Sequence, residues 1–374
     1  MKEQEDLPIV NCCIRIKSNS MVNKLFSPFK LREITFRNRI FVSPMCQYSA
    51  VEGVPNEWHM VHLGSRAVGG AGLILAEATA VSPEGRISPG DLGLWDHEQM
   101  DAFAKIIKFI EKEGAVPGIQ LGHAGRKAST SAPWNGGKLL RPDQGGWDVV
   151  GPSAIAYSPD YVVPHALTIK EIDDLVKKFK ESTVRATRAG FKVIEIHMAH
   201  GYLIHEFLSP SSNHREDEYG GSLEGRMKFP LRVAAAVREA FPAAYPVIAR
   251  ISATDWAEGG WDLEQSIVFC RELKNLGIDM IDCSSGGQVA HAHVPLGPGY
   301  QVLFAAAIRR EVGIATAAVG LITNAQQAED ILESGDADAI FLGREMLRDP
   351  YWPLHAAREQ GVDIQWPAQY LRAK

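Results

Sequence analysis

The chain has 374 residues, an apolar content of 45%, a charged content of 22% and a formal net charge of −6. This length and composition predict a globular protein with a sizeable core, about the size of one large α/β domain. The negative net charge disfavours nucleic acid and anionic membranes as main partners, and no apolar run approaches the ~20 residues that a membrane span needs.

The first twenty residues, MKEQEDLPIVNCCIRIKSNS, place a short apolar patch behind an acidic lead, which is unlike a secretory signal. We predict that residues 1–20 form a poorly ordered extension, and Met21 is an equally good candidate for the start of the chain. The five cysteines are odd in number and include no C-x-x-C pair, which disfavours a disulfide framework, a zinc site and an iron–sulfur cluster. A reducing cytoplasm is the simplest location for such a chain.

From Asn38 onward, short apolar runs alternate with helical patterns. The runs are almost continuously apolar, which is typical of parallel strands that are buried on both faces. The predicted strands are Arg39–Met45, Gly72–Val81, Val116–Leu121, Phe191–His197, Tyr245–Ser252, Met280–Ser284, Ala315–Leu321 and Ala339–Leu342. Between them, predicted helices run from a capping residue to a terminal glycine over Asp96–Gly114, Thr168–Gly190, Asp262–Gly277 and Thr323–Gly335.

Eight strands with intervening helices predict a (β/α)8 barrel, formed by a single domain over residues 21–374. A doubly wound sheet is the alternative, and it is disfavoured because no Gly-x-Gly-x-x-Gly turn follows any predicted strand. The connection from Gly122 to Leu167 is rich in Gly, Pro and Trp and lacks a helical period. We predict that it is a functional loop that follows the third strand and covers the C-terminal mouth of the barrel, where catalytic groups of this fold lie.

The stretch EIHMAHGYLIHEF, from Glu195 to Phe207, carries three histidines near the end of the fourth predicted strand. Glu195, His197 and His200 could hold a metal ion in a barrel hydrolase, and His205 is an imaginable further ligand. The spacing of His197 and His200 does not place both on one side of a strand, and no other strand end offers a supporting pair of ligands, so the metal site is disfavoured. We predict that His205 packs near Phe207 without a chemical role.

The alternative is that His197 and His200 are neutral imidazoles that donate hydrogen bonds to one carbonyl oxygen, with Tyr202 as a nearby O–H donor. Such an arrangement stabilises negative charge that develops on an oxygen. Separately, Gly320 and Gly343-Arg344 follow the seventh and eighth predicted strands, where backbone N–H groups and a cation suit a phosphate.

From Met21 to Lys374 the chain resembles the old yellow enzyme family of flavin-dependent ene reductases, in its classical-thermostable bacterial branch. The segments that carry the resemblance lie in the order that the barrel requires. They are KLFSPFKLREITFRNRI, SPMCQYS, GIQLGHAGRKAS, VIEIHMAHGYLIHEFLSPSSNHREDEYGGSLEGR, ARISATD, DCSSG and FLGREMLRDP.

The resemblance implies a non-covalent FMN across the barrel mouth. NADPH or NADH would reduce the flavin, and the flavin would then pass hydride to the β-carbon of an α,β-unsaturated carbonyl compound, in a ping-pong reaction within one shared site. Enals, enones and maleimides are implied substrates, with quinones and nitro compounds as further candidates. The absence of a dinucleotide-binding fingerprint is consistent with this, because the nicotinamide would stack on the flavin.

The resemblance also implies site residues. Those implied for the flavin are Ser43, Pro44, Met45, Cys46, Ala78, Gln120, Arg250, Gly320, Gly343 and Arg344. Arg250 would stabilise the anionic reduced flavin, and its alternative role is a buried ion pair. Cys46 would tune the redox potential, whereas Cys270 is expected to be core filler and Cys283 stays ambiguous.

For the substrate, the resemblance implies that His197 and His200 bind the carbonyl, that Tyr48 reaches the same region, and that Tyr202 protonates the α-carbon. The C-terminal PAQYLR matches a segment that crosses an interface in this branch. A homodimer or dimer of dimers would therefore offer Arg372, accompanied by Tyr370, to the neighbouring site.

Overall fold

The computed structural model describes residues 23–374, so the predictions about residues 1–20 and Met21 lie outside the described residues. Within this range, eight parallel strands close into a barrel in which neighbours in the sequence are neighbours in the sheet, and the last strand pairs with the first. The strands are β1 Ile40–Val42, β2 Leu73–Ala80, β3 Val116–Gly122, β4 Val193–Met198, β5 Val247–Ser252, β6 Met280–Ser284, β7 Ala315–Ala318 and β8 Ala339–Leu342. The predicted (β/α)8 barrel is confirmed.

Two strands are shorter than predicted by at least three residues, and both have a local cause. β1 ends at Val42 because Pro44, which has no backbone N–H, follows two residues later. β7 ends at Ala318 because Gly320 (φ 118°) and Leu321 (φ 52°) adopt left-handed backbone that no strand continues through.

The helices of the described chain lie between the strands and pack around the barrel. They are α1 Glu57–Val68, α2 His97–Lys112, α3 Ile169–Ala189, α4 Leu203–Leu208, α5 Leu223–Ala240, α6 Leu263–Asn275, α7 Val302–Val312, α8 Ala325–Glu333, α9 Arg344–Arg348 and α10 Trp352–Glu359. Thr168 and Glu171 form the predicted capping box of α3, and Gly190 ends that helix at φ 109°. Asn324, one residue after the predicted start, caps α8.

The N-terminal half of the barrel interior is apolar. Its inward residues include Phe41, Leu75, Ala317 and Phe341. A hairpin that the sequence analysis did not predict, Phe29–Leu31 paired antiparallel with Ile34–Phe36, packs on this cluster. The ring of Phe36 lies 4.8 Å from that of Phe41, which lies 5.4 Å from that of Phe341. Apolar side chains therefore close this end of the barrel, and the polar end is the C-terminal mouth.

The long connection between β3 and α3 is held by short 3₁₀ turns and by a two-residue parallel strand pair, Val150–Gly151 with His165–Ala166. Near its start, the Arg126 backbone N–H donates to Glu206 on α4 (2.9 Å). Farther along, the Trp134 ring lies edge-on to Tyr48, with centroids 5.6 Å apart. These contacts tie parts of the connection to the mouth, and its role as a cover over a bound ligand stays a prediction. The described residues contain no helix long and apolar enough to cross a bilayer.

Candidate active site

Inward residues of β3 to β6 form polar layers that lead toward the mouth, because alternate residues of a barrel strand face the interior. Strand pairing aligns Gln120 with Glu195, and Arg250 with both His197 and Asp282. The structure therefore brings together three residues that were implied for the site from separate segments: Gln120, His197 and Arg250.

The turn after β4 gathers two imidazoles and a phenol. The ring of His197 lies 5.2 Å from that of His200 and 5.0 Å from that of Tyr202. The turn needs left-handed backbone at His200 (φ 61°) and at Gly201 (φ 71°). A Cβ on Gly201 would lie 2.2 Å from the carbonyl oxygen of Gly287, so only glycine fits this close approach.

Hydrogen bonds fix both rings. His197 Nδ1 accepts from the backbone N–H of Ala199 (3.4 Å). The backbone N–H of His200 donates to Ser252 Oγ (2.9 Å), and His200 Nε2 lies 2.7 Å from Ser284 Oγ. Ser252 and Ser284 are the last residues of β5 and β6, so neighbouring strand ends position the imidazole of His200.

Both imidazoles are neutral. Burial, followed by the Arg250 guanidinium, lowers the pKa of His197 and of His200 well below the ordinary value. Because His197 Nδ1 accepts a hydrogen bond, its single proton lies on Nε2. The sequence analysis expected this protonation state, and both residues retain one N–H donor.

Lys127 is a neighbour of this turn to which the sequence analysis gave no role, although it lies within the quoted segment GIQLGHAGRKAS. Its Nζ donates to the carbonyl oxygens of His200 (2.8 Å) and Gly287 (3.0 Å), and lies 5.0 Å from the centre of the Tyr202 ring. Burial lowers the pKa of Lys127 to about 8. Burial raises the pKa of Tyr202 well above its ordinary value, so the phenol keeps its proton.

The loop after β1 carries Cys46 and Tyr48 along the same mouth. A buried carboxylate, Glu77, holds this loop by accepting from the backbone N–H of Gln47, and its other oxygen lies 3.1 Å from His59 Nε2. Burial, followed by Asp91 and Glu77, raises the pKa of the Cys46 thiol, which is therefore not a thiolate at neutral pH. Cys270 and Cys283 instead lie fully buried in the core between strands and helices, which removes the ambiguity over Cys283.

A cleft opens beside the ends of β7 and β8 and is lined by Gly320, Gly343 and Arg344. The side chain of Arg344 is exposed there. Ser43 Oγ is buried without a hydrogen-bond partner and would lie 4.0 Å from a Cβ placed on Gly343. Two glycines and a guanidinium therefore line this cleft, and an unused hydroxyl lies buried near Gly343.

Three further residues were implied for the flavin: Pro44, Met45 and Ala78. Met45 lies 3.8 Å, through its sulfur, from a Cβ placed on Gly343, while Pro44 follows Ser43 directly. Ala78 follows a register shift in β2 and lines a small niche together with His197 and Tyr202.

Two roles were considered for Arg250, a contact with the flavin and a buried ion pair. Its Nε lies 3.2 Å from Asp282 Oδ2, so the buried ion pair exists. Nevertheless, the Nε group has no aligned hydrogen-bond acceptor. Asp282 was not selected from the sequence because it stands within an apolar run.

Arg372 lies apart from these residues. It is exposed in a short 3₁₀ helix, Ala368–Ala373, at the C-terminus. Tyr370 in the same helix contacts Tyr351 of its own chain, with ring centroids 5.8 Å apart. The single chain does not bring Arg372 to the mouth, and its contribution to a neighbouring site stays a prediction.

The histidines of this segment are arranged for hydrogen bonding. Glu195 Oε1 accepts from Gln120 Nε2 (2.7 Å), and within residues 23–374 no three His, Cys, Asp or Glu side chains are grouped as metal ligands. His205 is fully buried. Its Nδ1 accepts from the Gly201 N–H (2.9 Å), and its Nε2 lies 3.0 Å from Asp255, so it supports the turn that carries His200.

Residues 24–362 match the profile of the NADH:flavin oxidoreductase / NADH oxidase family. The chain belongs to this family. An NADPH dehydrogenase of Bacillus subtilis (strain 168) is 45% identical over 354 residues, covering 94% of this chain and 99% of the relative. An NADPH dehydrogenase of Listeria monocytogenes serotype 4b is 48% identical over the same share of each chain. Among solved structures, morphinone reductase is similar with a TM-score of 0.77 at 27% identity, over 93% of this chain and 92% of its own.

Membership of the NADH:flavin oxidoreductase family confirms the resemblance to old yellow enzymes and makes the protein an FMN-dependent, NAD(P)H-oxidising enzyme. The residues present fit FMN. The Arg250 guanidinium, whose Nε lies near Asp282 without an aligned hydrogen bond, suits the carbonyl edge of a flavin. The unused hydroxyl of Ser43 suits the polar atoms of its ring, and Arg344 adds positive charge for the phosphate.

Proposed function

We propose that this protein is an ene reductase that reduces the C=C bond of α,β-unsaturated carbonyl compounds with electrons from NADPH. The observation that carries the proposal is the turn after β4, where two neutral imidazoles and a protonated phenol converge. Bound FMN, once reduced by NADPH, supplies a hydride for the β-carbon of the alkene.

In this proposal His197 and His200 bind the carbonyl oxygen and stabilise the negative charge that develops on it. His197 donates through Nε2. His200 donates through Nδ1, which requires that the Ser284 hydroxyl donates to Nε2 of the same ring (2.7 Å) rather than to its other acceptor, Gln301 Oε1 (3.4 Å). Removing one such donor costs about 3 kcal/mol of barrier, or roughly 10²–10³ in rate.

Tyr202 supplies the proton for the α-carbon, and Tyr48 contacts the substrate from the loop after β1. The raised pKa of Tyr202 favours a protonated donor. A positioned general acid contributes roughly 10²–10⁴ in rate. Enals, enones and maleimides satisfy these contacts, with quinones and nitro compounds as further candidates.

We propose that residues 21–374 act as one FMN-binding domain. The ring of FMN contacts Ser43 to Cys46, Ala78, Gln120 and Arg250, and its phosphate contacts Gly320, Gly343 and Arg344. Nicotinamide and alkene use one site in turn, in a ping-pong cycle. The cytoplasmic location, which rests on the cysteine pattern, is part of the same proposal.

Anaerobic titration tests this function. NADPH should bleach the flavin spectrum, and cyclohexenone should then restore it with one equivalent of saturated ketone. A flavin that NADPH does not bleach would indicate an idle flavin-binding protein, and reduced flavin that no activated alkene reoxidises would contradict the proposal.

A variant separates the role of His197 from that of the scaffold. His197→Ala should weaken the binding of phenol-like ligands and slow alkene reduction by roughly 10²–10³, while FMN stays bound. The measurements are flavin content, ligand titration and the rate of the oxidative half-reaction. Equal loss of flavin and of activity would show that His197 is structural.

A further inference from the structure

A buried charged layer lies inside the barrel, below the two histidines. It consists of Gln120 on β3, Glu195 on β4, Arg250 on β5 and Asp282 on β6. None of these side chains is more than 7% exposed, and both Glu195 and Asp282 are fully buried. The inward residues of the other strands are apolar, among them Phe41, Leu75, Ala317 and Phe341.

The layer contains two carboxyl groups and one guanidinium. Arg250 Nε lies 3.2 Å from Asp282, while Glu195 Oε1 receives a hydrogen bond only from the neutral Gln120 amide (2.7 Å). His197, the next inward residue of β4 after Glu195, is neutral and adds no charge. With both carboxyl groups ionised, the layer would hold an uncompensated negative charge, which costs several kcal/mol in a protein interior.

The carboxyl oxygens of Glu195 and Asp282 also lack hydrogen-bond donors. Glu195 Oε2 and both oxygens of Asp282 are buried without a hydrogen-bond partner when the two groups are treated as acceptors. Glu195 and Asp282 are neighbours in this layer, and each changes the pKa of the other. A single proton between them turns this repulsive contact into an O–H···O⁻ hydrogen bond, which is short and strong in a dry site.

We propose that Glu195 is a neutral carboxylic acid that donates its proton to Asp282, while Asp282 stays ionised beside Arg250. Arg250 decides which group is ionised, because its guanidinium lies next to Asp282 and favours the charged form of that neighbour. The pKa directions fit this order: burial, followed by Asp282, raises the pKa of Glu195 well above its ordinary value. Burial also raises the pKa of Asp282, but Arg250 and then the hydrogen bond from Glu195 oppose that rise.

The consequence is a layer without net charge, in which Glu195 is a positioning residue. Its Oε1 fixes the amide of Gln120 and its proton fixes the carboxylate that holds Arg250. If Gln120 and Arg250 contact the flavin, a step that rests on the proposed function, this proton helps to set the redox potential. A second negative charge in the layer would lower that potential.

The protonation state can be measured without flavin. In infrared difference spectra of the flavin-free protein near neutral pH, wild type minus Glu195→Gln should show the C=O stretch of a buried carboxylic acid. Asp282→Asn should shift this band because the acceptor is lost. Glu206→Gln is a control, since Glu206 is a buried carboxyl outside this layer with a pKa raised to about 8, and its signal should be separate. If Glu195→Gln removes no carboxylic-acid band, the proposal is overturned.

The redox potential is the second readout and uses FMN-loaded protein. Glu195→Gln replaces a neutral donor by a neutral donor, so the midpoint potential should stay at the wild-type value. Asp282→Asn removes a negative charge and should raise it. An equal rise in both variants would mean that both carboxyl groups are ionised in the wild type, against the proposal.

The infrared band and the midpoint potential distinguish a failure of this protonation proposal from a failure of the proposed function. Should the wild type fail to bind FMN, the proposed function fails, and the infrared band still decides where the proton lies. Should Asp282→Asn fail to fold, the Glu195→Gln band and potential decide alone.

Discussion

At the scale of single residues, the state of His200 depends on a serine. His200 can donate a hydrogen bond to a substrate only through the nitrogen that Ser284 leaves free, and the hydroxyl of Ser284 lies 2.7 Å from Nε2. The sequence placed Ser284 at a strand end within the segment DCSSG. The sequence could not predict the proposed selection of the tautomer by this serine, because it depends on a contact between the side chains of His200, in the turn after β4, and Ser284, at the end of β6.

Replacing Ser284 by alanine should therefore weaken the binding of phenol-like ligands and lower the rate of alkene reduction about tenfold, which corresponds to a lost hydrogen bond of about 1.4 kcal/mol. Ser285→Ala is the matched control, because Ser285 Oγ donates to Gln301 (2.6 Å) and not to His200. Flavin content, ligand dissociation constants and reoxidation rates would be measured for both. Equal effects in the two variants would argue against the tautomer role.

At the scale of elements, the turn after β4 shows what the sequence can and cannot predict. The pattern placed this turn at the barrel mouth, because a buried apolar strand is easily recognised and is followed here by histidines and a glycine. Two supports of the turn, Lys127 and Gly287, come from distant segments and are recognisable only once the strands are arranged in space. The third, His205, lies four residues after Gly201, but its hydrogen bond to that residue was not predicted. The short hairpin from Phe29 to Phe36 was missed because each of its strands has only three residues.

Gly201→Ala should disrupt this turn. The new Cβ would meet Gly287 O at 2.2 Å on left-handed backbone, so we expect lower thermal stability and loss of ligand binding by His197 and His200. Gly221→Ala is the control: its φ is 68°, but nothing lies within 4 Å of the added Cβ. That variant should lose only about 1–2 kcal/mol through backbone strain and should keep ligand binding. Unfolding midpoints and phenol titrations would distinguish the two.

At the scale of the whole molecule, the barrel buries carboxyl groups whose cost depends on pH. Asp91 is the clearest case: burial, followed by Glu77, raises its pKa from 3.8 to about 8. Between these values the folded protein holds a proton that the unfolded chain releases. Stability should therefore be lost as the pH rises from about 4 to about 8, by at most about 1.4 kcal/mol per pH unit.

Asp91→Asn should remove this contribution, so that urea unfolding shows a smaller loss of stability between about pH 5 and about pH 8 than in the wild type. Asp143→Asn provides a control, since Asp143 is exposed on the long connection. Parallel pH profiles for the wild type and Asp91→Asn would contradict the expectation. The sequence analysis gave Asp91 no role, because its burial arises from the loop packed above β2.

Assembly is also a property of the whole molecule, and here the prediction from sequence remains open. If Arg372 completes the site of a neighbour, Arg372→Ala and His197→Ala oligomers should each be impaired, and subunit exchange between them should restore activity. A mixed dimer would contain one intact site of its two. Equimolar exchange makes about half of the dimers mixed, so we expect the mixture to reach about a quarter of the wild-type rate. Each variant exchanged with itself is the control. No gain on mixing, or a monomer in analytical ultracentrifugation, would exclude the shared site.

The pairing of β1 with β8 has a consequence for how the chain folds while it is being synthesised. The backbone N–H of Lys24 donates to Glu329 (2.7 Å) across 305 positions, and β1 completes its ladder only with Ile340 to Leu342. While a ribosome makes the chain, β1 can pair with β2 on one side, yet its other edge stays open until almost the whole chain has emerged. The nascent protein must therefore carry an uncovered strand edge for most of its synthesis, and a chaperone that shields this edge would be of most use before the last strand appears.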